Sequence, residues 1–415
     1  MGSPKSRTFK GVCGGVVVAG LLASCSVIPV GLSEFKPQSF IRNAEKTGDR
    51  SDASSKSSSS GAAPEAAPLL PPVGAFLRSD PSGIGRIQEL ESWLGGTDLR
   101  VGHTYLPGDL WSNIEGQPRF LEPWARWRQA QKDRLFVLNV PMQERNEDGL
   151  PDDEVRTLLR AGASGRFDSH FRTLAERLVQ QKVPDTVIVL GWEMNGLTYT
   201  HRCGPDPEAW KSYWRRIVTA MRSVPGQDFR FDFTPSRGKD AFPWTECYPG
   251  DDVVDIIGMD TYDQPYGVPF DTHVNEPYGL QDQVDFAAEH GKAVSYPEWG
   301  LFRNGDNPEY VRRMLDWFDE HKPLYQTITD YCPHGVWQCT HNANSSEAYR
   351  AAFYGRPGRP SPTPAPSPQE TTPGPSAPET RPAPPALPTR HPRNDDDCFR
   401  VGDECIPFDD LLPDW

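Results

Sequence analysis

The chain has 415 residues, of which 36% are hydrophobic and 43 are prolines. Its 57 acidic and 43 basic residues give a formal net charge of -14 at pH 7. Because a surface with this charge repels polyanions, nucleic acids and anionic membrane surfaces are excluded as expected ligands. The length allows two or three average domains, or one large α/β barrel with tails.

The first 25 residues have the features of an export signal. Three basic side chains, Lys5, Arg7 and Lys10, precede a short apolar stretch that ends in the letters LASC at Cys25. This stretch is too short to cross a bilayer as a helix. The LASC ending resembles the lipobox of bacterial lipoproteins, which predicts residues 1–25 as a lipoprotein signal and Cys25 as the lipidated anchor of a protein facing outside. The alternative is an ordinary signal peptide cut nearby, which would give a secreted protein.

Low-complexity segments flank the central part of the chain. Residues 26–73 are rich in Ser, Ala and Pro and are predicted to form a disordered spacer. Residues 356–394 are rich in Pro and are predicted to form an extended linker. The last segment, 395–415, is a small acidic module whose aspartates could bind a cation or simply be solvated. The material for a large core therefore lies in residues 74–355.

This central segment alternates between strand-like and helical patterns. The pair Asp206-Pro207 predicts the start of a helix that buries Trp210 and Trp214 on one face. Eight apolar, strand-like runs occupy residues 74–79, 99–106, 134–141, 186–192, 229–235, 254–262, 293–299 and 335–339. Eight strands alternating with helices predict a (β/α)8 TIM barrel. A doubly wound open sheet is the rival, but no Gly-rich phosphate loop follows the first strand.

The cysteines predict disulfide bonds. Six remain beyond the export signal: Cys203, Cys247, Cys332, Cys339, Cys398 and Cys405. An even number in an oxidising compartment indicates disulfides. The simplest pairing joins 203 to 247, 332 to 339 and 398 to 405, although six cysteines allow fifteen connectivities. A zinc site is the alternative, but the sequence contains no C-x-x-C pair.

Two strand ends carry a glutamate among aromatic residues, Glu193 in GWEMNG and Glu298 in SYPEWG. Catalytic groups of TIM barrels lie at the C-terminal ends of strands. One such glutamate would often be a structural ion-pair partner, whereas two suit a retaining glycoside hydrolase. There, one carboxylic acid protonates the leaving oxygen and a carboxylate about 5–5.5 Å away attacks the anomeric carbon. Aromatic neighbours would raise the pKa of the acid and offer faces for sugar rings.

GWEMNG and SYPEWG resemble the two active-site motifs of glycoside hydrolase family 26, which contains many β-mannanases. The resemblance covers roughly residues 74–355 and implies a retaining (β/α)8 enzyme. It implies Glu193 as general acid/base, Glu298 as nucleophile and Tyr262, in GMDTYD, as the residue that orients the nucleophile. Trp337, on the predicted eighth strand, would lie under the sugar that is attacked.

The sequence also departs from the pattern of this family. Trp192 stands where the family usually has a histidine, and residues 197–199 replace a tryptophan-rich run. Pro297, rather than a serine, precedes the nucleophile. The substrate-contacting residues are therefore expected to differ from those of the family.

Further side chains at or near the strand ends are candidates for sugar binding. Each has an alternative interpretation. The histidine could occupy a core or loop position, and the asparagine could simply form the turn. The aspartate and the arginine could pair within the barrel mouth, and the tryptophans could be buried. Besides Trp337, they are Trp192, Asn195, His103, Trp299, Trp244, Asp260 and Arg237.

Together these features predict a retaining endo-β-glycosidase, monomeric and without a cofactor, acting on an extracellular β-mannan-type polysaccharide. Another β-glycan, such as a glucan, a xylan or an envelope polysaccharide, is the alternative substrate. A catalytically inactive glycan-binding lipoprotein and an envelope scaffold are the rival classes. The presence of both glutamates and of Tyr262 favours the enzyme over the binding protein, which would need none of them.

Overall fold

The computed structural model describes residues 71–356, together with the backbone of residues 398–401 and 404–407. The predicted export signal with Cys25 lies outside the described residues. Most of the two predicted spacers and the side chains of the acidic tail lie outside them as well.

The central sheet is a closed barrel of parallel strands. β1 pairs with both β2 and β9, and β6 pairs with β8, so the sheet has no open edge. β7 pairs only with β8 and extends the sixth barrel strand. The strands are β1 (Val73–Phe76), β2 (Val101–Tyr105), β3 (Leu135–Val140), β4 (Val187–Leu190), β5 (Arg230–Phe233), β6 (Ile256–Gly258), β7 (Thr261–Tyr262), β8 (Ala293–Gly300) and β9 (Gln326–Thr329).

Helices connect the strands, as the predicted (β/α)8 barrel requires, and that prediction is confirmed. They are α1 (Gly83–Trp93), α2 (Trp111–Ile114), α3 (Pro118–Gln129), α4 (Asp152–Ala163), α5 (Asp168–Gln180), α6 (Pro207–Arg222), α7 (Phe270–Asn275), α8 (Leu280–Glu289), α9 (Pro308–His321) and α10 (Ala343–Phe353), with a 3-10 helix at Trp244–Cys247. The side chain of Asp206 caps α6 by accepting from the backbone N–H of Ala209, at 3.2 Å. Trp210 and Trp214 are buried on its inner face. Within the described part of the chain, no helix is long and apolar enough to span a membrane.

The predicted position of the eighth strand is wrong. Residues 335–339 form a loop, and the strand that closes the barrel is β9, nine residues earlier. β9 reads Gln-Thr-Ile-Thr, which lacks the apolar run used to find strands. Its polar side chains are buried because they bond within the protein: Gln326 Oε1 accepts from Trp299 Nε1 at 2.7 Å, and Thr327 Oγ1 lies 3.0 Å from a ring nitrogen of His103.

The core has two parts, one between the barrel and its helices and one inside the barrel. The inner part begins with valines from neighbouring strands, Val101, Val137 and Val187. Toward the mouth, the inward positions become polar or aromatic. On β2 they change from Val101 through His103 to Tyr105, because alternate residues of a strand face the same side. The barrel interior therefore has polar and aromatic side chains above an apolar floor.

A short hairpin lies in the acidic tail. β10 (Cys398–Val401) and β11 (Glu404–Pro407) pair antiparallel, with Arg400 opposite Cys405. The predicted bond between Cys398 and Cys405 stays a prediction, because only the backbone of these two residues is described.

Candidate active site

Glu193 lies immediately after β4, at the mouth of the barrel. Its backbone has a left-handed conformation, with φ of 50°, which is uncommon for a residue with a side chain. The preceding Gly191 also has positive φ, and the backbone N–H of Glu193 donates to the carbonyl of Thr234, at 2.8 Å. The chain thus turns sharply where the strand ends, and the next strand's loop holds the turn. This backbone leaves the Glu193 side chain partly buried.

Glu298 lies on β8, and only 8% of its surface is exposed. The hydroxyl of Tyr262 donates to its Oε2 at 2.5 Å, and the same hydroxyl lies 2.8 Å from Oγ1 of Thr329 on β9. Its other oxygen, Oε1, has no hydrogen-bond partner among the described residues. One oxygen is therefore held in place, and the other is free to react.

Burial and mutual repulsion set the protonation of the two glutamates. The pKa of Glu193 is raised to about 8, first by burial, then by the charge of Glu298 and, more weakly, by that of Asp240, while a hydrogen bond with Ser236 lowers it. Burial also raises the pKa of Glu298, but the neighbouring hydroxyl groups of Tyr105 and Tyr262 lower it. Since two like charges in a shared site resist ionising together, the pair favours a protonated Glu193 and an ionised Glu298.

Asp260 is a third carboxyl group near this pair. It is 2% exposed, and neither of its oxygens is hydrogen-bonded by another side chain of the described residues. Burial, followed by the charges of Glu298 and Glu193, raises its pKa well above the usual range. Of the two roles considered for Asp260, pairing with a cation does not occur within the described barrel mouth.

Aromatic side chains surround the carboxyl groups. Trp192 is 3% exposed, and its ring lies 5.4 Å from that of Tyr105 and 5.0 Å from that of Tyr199. Burial, followed by the charge of Glu298, raises the pKa of Tyr105, and burial, followed by the charge of Glu193, raises that of Tyr199. Sequence reasoning missed both tyrosines. Tyr105 could have been found, since it lies two residues after His103 and therefore faces the same side of β2.

His103 and Asn195 make their hydrogen bonds within the protein. His103 is completely buried, with one ring nitrogen 3.0 Å from Thr327 Oγ1 and the other 2.8 Å from Asn139 Oδ1. Burial lowers its pKa to about 4, so it is neutral at physiological pH. The amide of Asn195 donates to the carbonyl of Ser236 at 3.0 Å and accepts from its N–H at 2.9 Å. The structure thus places one in the barrel interior and uses the other to hold a loop.

Arg237 is also engaged within the protein. Its guanidinium pairs with Glu276, donates to the carbonyl of Tyr262 at 3.3 Å, and bonds Thr261 Oγ1 through Nε at 3.1 Å. Its side chain is 5% exposed. Arg237 therefore anchors the backbone that carries Tyr262, which is the second of the two roles considered for it.

The candidate tryptophans differ in position. Trp299 and Trp244 are fully buried, and their indole N–H groups donate to Gln326 and to the carbonyl of Tyr278. Trp337 lies in the loop after β9, where its indole ring packs against Arg86 of α1 at 6.0 Å. Trp192 alone among these lies in contact with the aromatic residues around the carboxyl pair.

Tyr331 follows the true eighth strand and is a residue that sequence reasoning missed. It is 41% exposed, and its ring lies 6.0 Å from that of Phe76. Burial, followed by the charges of Glu298 and Glu193, raises the pKa of Tyr331 well above its usual range. Tyr331 therefore lies near both glutamates. The misplaced strand hid it, since correct placement of β9 makes it the second residue past the strand end.

Two of the predicted disulfides are confirmed. Cys203 bonds Cys247 and joins the loops that follow β4 and β5, and Cys332 bonds Cys339 across the loop that follows β9. Cys332 and Cys339 lie near His341, but as a disulfide they have no thiolate to offer a metal ion. The zinc alternative therefore does not fit these four cysteines.

A closed (β/α)8 barrel with a pair of glutamates at its C-terminal face, one of them hydrogen-bonded by a tyrosine, has the architecture of a glycoside hydrolase. Residues 169–278 match the family model described as glycosyl hydrolase family 26. That segment contains Glu193 and Tyr262, while Glu298 lies beyond it. The resemblance of the chain to family 26 is confirmed, and the protein is a glycoside hydrolase.

Several solved structures are similar to this chain at low sequence identity. A Cellulomonas fimi endo-β-1,4-mannanase double mutant is 17% identical, with a TM-score of 0.50, over 65% of this chain and 66% of the other. The Bacillus subtilis mannanase BCman is 16% identical, with a TM-score of 0.49, over 68% and 84%. A Bacteroides ovatus family 26 β-mannanase is 15% identical, with a TM-score of 0.47, over 68% and 87%. No match is found among curated proteins.

Proposed function

We propose that the protein is a retaining endo-β-glycosidase that cleaves a β-mannan-type polysaccharide by double displacement. The observation that carries the proposal is the state of Glu298. Tyr262 holds Oε2 at 2.5 Å and leaves Oε1 free, while the neighbouring Glu193 has a pKa of about 8. A fixed carboxylate beside a protonated carboxylic acid is what this chemistry requires.

In the first step, Oε1 of Glu298 forms a bond with the anomeric carbon of the sugar. The bond from that carbon to the leaving oxygen breaks, and its electron pair stays with the oxygen. Glu193 transfers its proton to this oxygen, so the leaving sugar departs neutral. The hydrogen bond from Tyr262 keeps the carboxylate from rotating during the attack.

In the second step, Glu193 is ionised and takes a proton from water. The water oxygen bonds the anomeric carbon, and the ester bond to Glu298 breaks with its electron pair returning to the carboxylate. Glu193 is again protonated, so the enzyme returns to its starting state. Two displacements on opposite faces give net retention of configuration.

The substrate is the part of the proposal that rests on similarity. β-Mannan comes first because family 26 contains many β-mannanases and the structures named above carry that name. Trp192, where the family usually has a histidine, favours different sugar contacts, so another β-glycan is the second candidate. A catalytically inactive glycan-binding protein is disfavoured by the held and oriented Glu298.

The test is digestion of a panel of β-mannan, β-glucan and xylan by the full-length protein, with reducing ends as the readout. We expect activity on at least one polymer, and we expect Glu298→Gln to lower it by roughly 10³-fold or more. Glu246→Gln is the matched control, because this exposed glutamate of the 3-10 helix is absent from the groups that act on Glu193.

Two results would contradict the proposal. If the folded wild-type protein releases no reducing ends from any polymer, the proposed hydrolase activity on β-glycans is wrong. Inversion of the anomeric configuration in the first product, observed by NMR, would remove the double displacement while leaving glycoside hydrolysis in place.

A further inference from the structure

Three consecutive loops at the mouth of the barrel carry aromatic side chains, which we name the aromatic ridge. They follow β7, β8 and β9, the side of the mouth on which the nucleophile lies. The ridge consists of Tyr266, Phe302, His334 and Tyr331. Tyr266 is 82% exposed, Tyr331 is 41% exposed, and the other two are partly buried.

Ring contacts connect the ridge to the catalytic residues. The ring of Tyr331 lies 5.3 Å from that of His334, which lies 4.9 Å from that of Phe302. His334 also lies 4.6 Å from the ring of Tyr262, whose hydroxyl bonds Glu298. The ridge therefore begins beside Glu298, and the rings of His334, Phe302 and Tyr331 form a continuous series of contacts.

The loop that carries Tyr266 is braced by its neighbour. The backbone N–H of Gly267 donates to Asn304 Oδ1 at 2.7 Å, and the amide nitrogen of Asn304 donates to Asp263 Oδ1, also at 2.7 Å. Asn307, at the start of α9, donates to the other oxygen of Asp263 at 2.8 Å. These bonds hold Tyr266 beside the loop of Phe302. An exposed ring on a fixed loop loses little entropy when it binds a ligand.

Exposed apolar side chains are concentrated at this end of the barrel. Five large hydrophobic residues are the most exposed in the described part of the chain, and four of them lie in loops that follow barrel strands. These are Leu110, Leu197, Tyr266 and Tyr331, whereas Tyr354 follows the last helix. Single exposed apolar residues are ordinary, but a concentration at one rim indicates a binding surface.

The chemistry gives the ridge a direction relative to the substrate. Glu193 protonates the leaving oxygen, so the departing part of the substrate lies on the β4 side of the mouth. The part that stays bonded to Glu298 extends toward the other side, where the ridge lies. The faces of pyranose rings carry C–H groups that pack on aromatic rings, so successive sugars could each meet a ring of the ridge.

We propose that the aromatic ridge binds the glycone part of an extended, β-linked pyranose polymer, with Tyr266 as the outermost sugar-stacking residue. This proposal rests on the proposed glycosidase activity and deepens it. It makes the length of the substrate, as well as its sugar, a determinant of efficiency, and it assigns endo action to the site.

The test compares a long polymer with a short substrate for the Tyr266→Ala variant. The polymer is the most active one of the panel, and the short substrate is an aryl β-glycoside of the sugar that it contains. We expect kcat/KM on the polymer to fall about fivefold, mainly through KM, because one aromatic contact is lost. Activity on the aryl glycoside is expected to be unchanged, since it does not reach Tyr266.

Two further variants sharpen the comparison. Tyr266→Phe keeps the ring and is expected to retain wild-type activity on the polymer. Tyr354→Ala removes an exposed tyrosine, 55% accessible, that lies outside the strand-end loops, and it is expected to change neither activity. Equal polymer kinetics for Tyr266→Ala and wild type would overturn the ridge proposal while the glycosidase stands. Loss on both substrates would overturn it too, because the effect would then be on the catalytic residues.

Discussion

Asp240 shows how a residue without an evident role can act on Glu193, the proposed catalytic acid. A Cβ added to Gly196 would lie 3.0 Å from Oδ2 of Asp240, so this carboxylate lies against the turn that follows Glu193. The carbonyl of Asn195 accepts from the backbone N–H of Ala241 at 3.1 Å, which holds the Asp240 loop there. Asp240 therefore contributes a negative charge close to Glu193, whose pKa it raises.

We expect Asp240→Asn to change the pH dependence of activity. Three groups act on the Glu193 carboxyl beside burial: the charges of Glu298 and Asp240 raise its pKa, and the hydrogen bond with Ser236 lowers it. Removing the Asp240 charge lowers the pKa of Glu193, so the protonated acid is lost at a lower pH. The basic limb of the profile of kcat/KM, near pH 8 in the wild type, should move to lower pH.

The acidic limb is the internal control for this prediction, because it reports ionisation of Glu298 and should move much less. Glu246→Gln removes a charge nearby in sequence and should leave both limbs in place. A basic limb that is unchanged in Asp240→Asn would show that the charge of Asp240 does not reach Glu193.

The candidate residues at strand ends fall into two groups, those with groups available to a ligand and those whose polar groups bond within the protein. Glu298 keeps a free oxygen, and Trp192 contacts the tyrosines around the pair. His103, Asn195 and Arg237 spend their hydrogen-bonding groups on the protein itself. Position along a strand predicts where a side chain begins, but the partner that uses its polar atoms comes from a distant part of the chain.

At the scale of elements, β9 and the loop after it show the limits of hydropathy. The run Gly-Val-Trp-Gln-Cys was predicted as a strand because it is apolar, yet it forms part of a disulfide-closed loop. Asp330, at the end of β9, accepts from the backbone N–H of Trp337 at 2.9 Å and of Gln338 at 3.3 Å. The loop is thus folded around a buried carboxylate. Burial raises the pKa of Asp330 to about 6.

The disulfide between Cys203 and Cys247 is expected to stabilise the fold more than the one between Cys332 and Cys339. It closes 44 residues, whereas the other closes 7, and loop-closure entropy grows with length. Replacing both cysteines of a bond by alanine should lower the free energy of unfolding by about 4 kcal/mol for the longer loop and about 2 kcal/mol for the shorter. Urea unfolding of the two double variants measures the difference.

These two bonds also differ in their expected effect on catalysis. The bond between Cys203 and Cys247 joins the loops that carry Glu193 and Asp240. Its loss should therefore lower kcat even without urea, at temperatures where the variant is folded. Equal losses of stability in the two double variants would contradict the loop-length argument.

At the scale of the whole molecule, the two ends of the barrel domain lie together, away from the mouth. Pro71, Val73 and Arg356 border a common surface cavity with Gln326. Val73 and Gln326 are the first residues of their strands, so this cavity lies at the N-terminal end of the barrel. Glu193 and Glu298, the proposed catalytic residues, lie at the other end. The flanking segments therefore join the barrel domain at the end opposite the mouth.

We propose that the protein is anchored by a lipid at Cys25, and the prediction is tested by fractionation. The native protein is expected in the membrane fraction and should be released by detergent. Cys25→Ser should move it to the soluble or culture fraction, while its specific activity stays the same because the substitution changes no residue at the mouth. If the native protein is recovered in the culture fluid and migrates on a gel like the Cys25→Ser variant, the ordinary signal peptide is favoured.

The sequence by itself determined the features that depend on neighbouring residues. Apolar periodicity located seven of the eight barrel strands, the Asp206-Pro207 pair located the start of α6, and the two glutamate motifs followed from strand ends. The tertiary structure alone decided what depends on residues far apart. The bond from His103 to Thr327 spans 224 positions, and the bracing of Asp263 by Asn304 spans 41. The position of β9, the free oxygen of Glu298 and the aromatic ridge are of this kind, because polar groups are satisfied, and surfaces formed, by whichever residues folding brings together.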